Sequence, residues 1–338
     1  MALAAAALSA CGGSNGGSPP SPTTPGAPQA LPGVGSGPLT FRASPIALDS
    51  IRWITPLGNL NPPSHALPTD HIYFYFANPD GGESPAGRRT DFFAPADGVV
   101  GDLFGSPGGD RKIWIQATPT VFFYVDHLMI DVPLTRGARI TAGQRLGTTG
   151  DAYAVDLGVV NYGLTLTGFV NPARYIDDTL HADGPLKYFE EPLRSQLYSR
   201  VQRIGGDLDG KIDYDVPGRL SGNWFEDAPG STFSTSFVYD TYDPSQVRIS
   251  IWTFISGAGF SGAFAIAPGD PLPRGVSPAS GIVRYSLIQA RTGLPQPFTT
   301  PVNRLLVQMI DDRRIQIEVL PAASTATEFS ANARRLSR

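Results

Sequence analysis

The 338-residue sequence predicts a mostly β protein made of two β-rich units. Three observations carry this expectation. Apolar residues fall in short β-branched and aromatic runs, not in long stretches with a period of 3.6 residues. Glycine (38) and proline (32) punctuate those runs closely, while charged residues make up only 17% of the chain. A single helix-like stretch, 185–201, parts an earlier group of runs from a later one. The expected architecture is a β barrel or sandwich over 39–174, a linker with a short helix over 175–206 and an antiparallel β barrel over 207–338.

The first eleven residues form a small apolar run that ends Leu8-Ser9-Ala10-Cys11. This ending resembles the lipobox of bacterial lipoproteins, in which the cysteine is lipidated and becomes the mature N-terminus. Cys11 is the only cysteine, so it reads as a lipid attachment point and not as a disulfide partner. The alternative is a chance cysteine in an alanine-rich leader. Residues 12–38 carry no charge and are nearly all Gly, Ser, Pro, Thr and Ala. Such a segment buries too little apolar surface to offset its ordering entropy, which predicts a disordered, extended spacer. The resemblance implies an extracytoplasmic body anchored by lipid, and Gly12 after the cysteine points to the outer membrane or cell surface. The net charge of −4, with no basic block, leaves no electrostatic footprint for nucleic acid. No later apolar run approaches the ~20 residues that span a bilayer.

In the first unit, strand composition recurs at Asp70–Phe76, Gly98–Val100, Lys112–Ala117, Val121–Val125 and Val155–Tyr162. Thr118-Pro119-Thr120 marks a hairpin between the third and fourth of these. Three segments then stand in a telling order. They are Ala94-Pro95-Ala96-Asp97-Gly98-Val99-Val100, Tyr124-Val125-Asp126-His127-Leu128, and Gly143-Gln144-Arg145-Leu146-Gly147-Thr148-Thr149-Gly150. Together they resemble lysostaphin-type zinc metallopeptidases, whose domain has the duplicated hybrid motif fold. The resemblance spans about 70–162. It implies a cleft on the sheet, with peptidoglycan peptides as the substrate class.

The ligand positions match that family only in part. The family binds zinc through a His-x-x-x-Asp pair and the second histidine of a His-x-His. His71 falls on the first ligand, but Tyr75 stands where the aspartate belongs. Asp156-Leu157-Gly158 falls on the His-x-His, so Gly158 leaves the third ligand position without a side chain. His127 matches the family's catalytic histidine. Hydrolytic zinc needs three protein ligands and an open position for water, and on this alignment one ligand survives. A rebuilt zinc site from His71, His127 and Asp156, with His65 or Asp70 beside it, has suitable donors. The alternative is that these histidines are hydrogen-bonded groups in a degenerate cleft. The cleft, bordered also by Tyr75 and Tyr162, would then bind a peptide, a glycan or an envelope protein. Family members that have lost ligands act as partners or activators of cell-wall hydrolases, which is what the resemblance implies here. His181 lies in a polar stretch and reads as solvated.

The leading expectation is therefore a binding or scaffolding lipoprotein without ordinary zinc hydrolysis. The rivals are a zinc endopeptidase acting through rebuilt ligands, and a carrier of a small hydrophobic ligand. The third rests on the second unit. There, Asp207-Leu208-Asp209-Gly210-Lys211-Ile212-Asp213-Tyr214-Asp215 reads as a polar strand and turn, since its carboxylate spacing is not that of a calcium loop. Six strand runs follow, the last two joined as a hairpin at Asp311-Asp312-Arg313. Gly222-Asn223-Trp224, opening the series, resembles the Gly-x-Trp of lipocalins and favours a barrel. A barrel of about eight strands either holds one small ligand or is filled by its own side chains.

Overall fold

A computed structural model describes residues 28–228, 231–255, 258–290 and 298–338. Cys11 and most of the expected spacer lie outside the described residues. The chain is mostly β, as the sequence predicts, and none of its described helices is long and apolar enough to cross a membrane.

The first unit holds ten strands in one sheet. They are β1 (Trp53–Thr55), β2 (His71–Tyr75), β3 (Asp91–Phe93), β4 (Gly98–Phe104), β5 (Arg111–Gln116), β6 (Val121–Ile130), β7 (Arg139–Ile140), β8 (Arg145–Thr149), β9 (Ala154–Asn161) and β10 (Ala182–Asp183). The main path runs β1-β2-β9-β6-β5-β4-β7, with β8 joining the far end of β6 and β3 joining β8. This path has two ends, so the sheet is open and not the closed barrel that was one of the expected forms. Strand alternation decides its two faces. Ile72 and Phe74 of β2, Phe123 and Val125 of β6, and Val155, Leu157 and Val159 of β9 enter the main core, each at most 1% exposed. The residues between them face the opposite way and build the site.

Within the expected spacer, Leu31 already engages this sheet, its N–H donating to Gln116 Oε1 at 2.9 Å. The expected helix over 185–201 is broken. A 3-10 turn covers Pro185–Tyr188, and only Leu193–Tyr198 is α-helical; Pro192 lies between them and has no N–H to continue a helix. A further short helix, α1, covers Asp177–Leu180.

The second unit is a closed eight-stranded meander. Its strands are β11 (Gly222–Glu226), β12 (Ser234–Tyr239), β13 (Val247–Ile255), β14 (Ala258–Ile266), β15 (Val283–Gln289), β16 (Pro301–Asp311), β17 (Arg314–Pro321) and β18 (Arg334–Ser337). β18 pairs with both β17 and β11, which closes the ring. The interior is filled by its own side chains, among them Trp224, Phe237, Tyr285, Leu305, Met309 and Ile317, each at most 1% exposed. Trp224 anchors the opening strand: its indole N–H donates to Leu220 O at 2.9 Å, and the Arg338 guanidinium lies 4.2 Å from its ring centre.

Residues 207–216 do not form the expected strand. They run as an extended seam between the units. Ile212 packs in the first core, past the expected boundary at 207. Asp213 accepts the Gly168 N–H (2.8 Å), and Asp215 accepts those of Val170 (2.9 Å) and Asn223 (2.8 Å). Across the seam, Ser236 and Thr241 donate to Ala66 O and Leu57 O at 2.8 and 2.9 Å, and the Thr55 and Tyr242 hydroxyls lie 3.0 Å apart.

Candidate functional site

Two cross-strand rows on the open face of the first sheet assemble the site. In one row Trp114, Tyr124, Gly158 and His71 stand opposite one another on β5, β6, β9 and β2. In the next row Asp126, Asp156 and Tyr73 do so. The pairing brings together side chains that lie far apart in sequence.

The first row explains Gly158. A Cβ built on Gly158 would lie 2.2 Å from Tyr124 Cζ and 2.6 Å from its hydroxyl. The phenol ring of Tyr124 therefore crosses the strand through the space a side chain at 158 would need. Trp114 stacks behind that ring at 4.8 Å, and Lys112 Nζ sits 3.8 Å from its centre. The Tyr124 hydroxyl donates to Asp70 Oδ1 at 2.8 Å and lies 3.2 Å from His71 Nδ1. Burial, and then the Asp70 charge, push the Tyr124 phenol well above its ordinary pKa.

His71 is 8% exposed. Its Nδ1 lies 3.1 Å from Asp70 Oδ1, and its Nε2 lies 3.0 Å from the Tyr73 hydroxyl and 3.3 Å from Asp156 Oδ2. Burial opposes its charge, but Asp156 and Asp70 outweigh burial and raise its pKa to about 9. Asp70 is held as an acceptor, taking hydrogen bonds from Tyr124 and from Thr179 of α1 (2.9 Å). Burial works against its ionisation, yet these partners and His71 hold it well below the usual carboxylate range.

Asp156 is 4% exposed and sits between two imidazoles: His127 Nε2 is 3.5 Å from the same oxygen that faces His71. Its other oxygen, Oδ1, is buried without a hydrogen-bond partner. His127 turns its Nδ1 to Asp110 Oδ2 at 2.8 Å. Burial lowers its pKa, but the Asp110 hydrogen bond and the Asp156 charge carry it to about 9. His65 packs edge-on to His71 with ring centres 5.4 Å apart. Burial, and then the His71 charge, lower its pKa to about 4.

Thus the fold brings His65, Asp70, His71, His127 and Asp156 into one neighbourhood. Of the expected zinc donors, His71 and His127 both turn Nε2 to one Asp156 oxygen, at 3.3 and 3.5 Å. Tyr75 is stacked flat on Trp53 at 4.5 Å, and burial pushes its phenol up to about 12. The side chains present do not fit a three-ligand zinc site of the lysostaphin kind. Tyr162 stands apart, bonded to Asp178 at 2.8 Å and packed on His181 at 4.6 Å. His181 is not solvated as expected. It is 8% exposed, with Nδ1 against Leu164 O at 2.5 Å. The sequence reading missed Tyr73, Tyr124, Thr179 and Asp110. For Tyr124 a signal existed, since a glycine inside a strand marks a site where something else approaches closely.

No protein-family model matches this chain, and no curated protein does. Among solved structures, lysostaphin in solution aligns over 88% of this chain and 91% of its own, at 12% identity and a TM-score of 0.30. Helicobacter pylori Csd3 aligns over 45% of this chain at 15% identity and a TM-score of 0.30. The chain spans 35% of the length of that Csd3 structure. The SpoIIQ–SpoIIIAH pore-forming complex aligns over 47% of this chain and 96% of its own, at 13% identity and a TM-score of 0.30. At these scores the similarities establish no family for this chain.

Proposed function

We propose that this protein is an extracytoplasmic binding or scaffolding component of the cell envelope, tethered through lipidated Cys11. In this reading, the open sheet face of its first unit recognises cell-wall peptide, glycan or an envelope protein without hydrolysing it. The observation that carries the reading is the Tyr124 ring across Gly158. The ring occupies the space a side chain at 158 would need, which supports reading that position as one that has lost a third ligand, and it ties its hydroxyl to Asp70, beside His71. Around the buried Tyr124 ring, the half-buried Trp114, His65, Asp70, Asp126 and His127 remain open to solvent, a combination of aromatic faces and carboxylates suited to sugar rings and peptide groups. The filled barrel serves as a rigid support in this reading.

The test is to incubate the full chain with purified peptidoglycan, with and without added zinc, and to measure both co-sedimentation and newly released amino groups. Co-sedimentation without release is expected, and Trp114→Ala should weaken it. Release of amino groups that stops on chelation would overturn the reading in favour of a zinc endopeptidase.

A further inference from the structure

β6 is irregular where it passes the site. Its register with β5 slips between Ile113↔Val125 and Arg111↔Leu128, so one extra residue is accommodated on β6. Within that stretch His127 has φ +66°, the one positive φ of a non-glycine among the described residues. A bulge of this kind breaks strand alternation, so sequence neighbours no longer face opposite ways. Here it draws Asp126 and His127 together with Asp110, which lies just before β5. One ligand atom from each of the three lies within 4.8 Å of the others.

Two independent features point to a cation at this place. The first is charge. Asp126 stands directly opposite Asp156 across β6 and β9, a like-charge pairing that destabilises a sheet unless something neutralises it. The four carboxylates of Asp70, Asp110, Asp126 and Asp156 face three basic groups, His71, His127 and Lys112, so the acidic groups outnumber the basic ones by one even with both imidazoles protonated. Buried Asp156 turns one oxygen to His127 Nε2 at 3.5 Å and leaves the other unpartnered. The second feature is space. A Cβ on Gly150 would lie 2.7 Å from Asp110 Oδ1 and 2.8 Å from His127 O. Glycine at 150 leaves room for the Asp110 carboxylate to reach His127, and its N–H donates to His127 O at 2.6 Å.

We propose that Asp110, Asp126 and His127 form a binding site for a divalent first-row transition ion such as zinc. The ion takes Nδ1 of His127 in place of the proton now shared with Asp110 Oδ2. One imidazole and two carboxylates suit such an ion, which takes nitrogen and oxygen donors at about 2.1 Å. Nε2 of His127 keeps its proton and directs it to Asp156, the outer carboxylate that fixes the ring of a metal-bound histidine. Ion binding releases one proton from the imidazole. The side chains of Asp110 and His127 are 34% and 36% exposed, so the ion has a path from solvent. This site uses none of the side chains at 71, 75 and 158, and it does not depend on the binding role proposed above.

The experiment uses the full chain, stripped with chelator and titrated with Zn2+ by calorimetry and with Co2+ by visible absorption. One ion per chain is expected. Asp110→Asn and Asp126→Asn, which preserve side-chain shape, should each weaken binding at least tenfold, and Asp156→Asn should weaken it by a smaller factor. His71→Ala should leave it within about twofold. Circular dichroism of each variant separates loss of the site from loss of the fold. Absence of a saturable site overturns the proposal. So does binding that His71→Ala abolishes and Asp126→Asn spares. Peptide release from peptidoglycan would overturn the binding role and leave this titration unaffected, so the two failures are distinguishable.

Discussion

Replacing Gly158 by alanine probes the site most directly. The added methyl would sit 2.2 Å from Tyr124 Cζ, far inside van der Waals contact, so the phenol ring must move. Overpacking of this kind costs about 1–3 kcal/mol. Moving the ring also strips the Tyr124 hydroxyl from Asp70, a charge-assisted hydrogen bond of 2.8 Å, for a further loss of about 1.5–3 kcal/mol. The sum, about 2.5–6 kcal/mol, corresponds to a fall in melting temperature of roughly 5–24 °C for a unit of this size. Scanning calorimetry of the full chain measures it, with near-ultraviolet circular dichroism following the Trp114–Tyr124 stack. The decisive control is a double-mutant cycle. In a Tyr124→Ala background the space is already empty, so Gly158→Ala should cost under about 0.5 kcal/mol. A melting point that falls by less than 2 °C in the single variant, or equal costs in both backgrounds, would refute the claim that Tyr124 fills the space over Gly158.

Imidazole NMR at pH 7 should find His71 doubly protonated and His65 neutral, despite ring centres 5.4 Å apart. Because the folded pKa of His71 is raised from 6.5 to about 9, its contribution to stability is fully present below pH 6.5 and is lost as the pH climbs through 9; denaturant melts of the wild type and of His71→Gln should differ most below pH 6.5 and converge above 9. His65 has the opposite sign, its folded pKa being lowered to about 4, so its contribution is present above pH 6.5 and lost as the pH falls towards 4. In the barrel, Trp224→Ala removes a fully buried indole and its hydrogen bond to Leu220, a loss of about 3–5 kcal/mol; urea melts read through tyrosine fluorescence should show it, and a loss under 1 kcal/mol would contradict a filled barrel.

Much of the fold was legible because strand alternation and turn residues are local properties. The 71, 73, 75 face of β2 followed from a period of two, and Gly222-Asn223-Trp224 marked the start of the meander. The site was legible only as a list of residues. That Tyr124 reaches over Gly158 depends on the register between β6 and β9, which no local pattern encodes. His181 was misread because its surroundings in sequence are polar, whereas in space it is covered by Tyr162 and the Leu164 carbonyl. The short helix expected in the linker is confined to Leu193–Tyr198 for a local reason that the apolar spacing over 185–201 concealed, namely Pro192 in the middle of that stretch. Asp110 drew no notice, since its partnership with His127 needs the bulge in β6 and the small residue at 150.

The seam at 207–216 bears on how such a chain can be divided or recombined. A fragment ending at 206 would lack Ile212, a member of the first core, and would leave the N–H groups of Gly168 and Val170 without their aspartate acceptors. A fragment beginning at 217 would start its barrel without Asp215, the acceptor of the Asn223 N–H. Neither half therefore owns the segment, and modularity is lost wherever the cut falls within it. Exchange of one barrel for another would succeed only if the seam travelled with the first unit while the incoming strand kept a backbone donor in register with Asp215. Gene-level shuffling at this joint is restricted in a way that a simple linker would not restrict it.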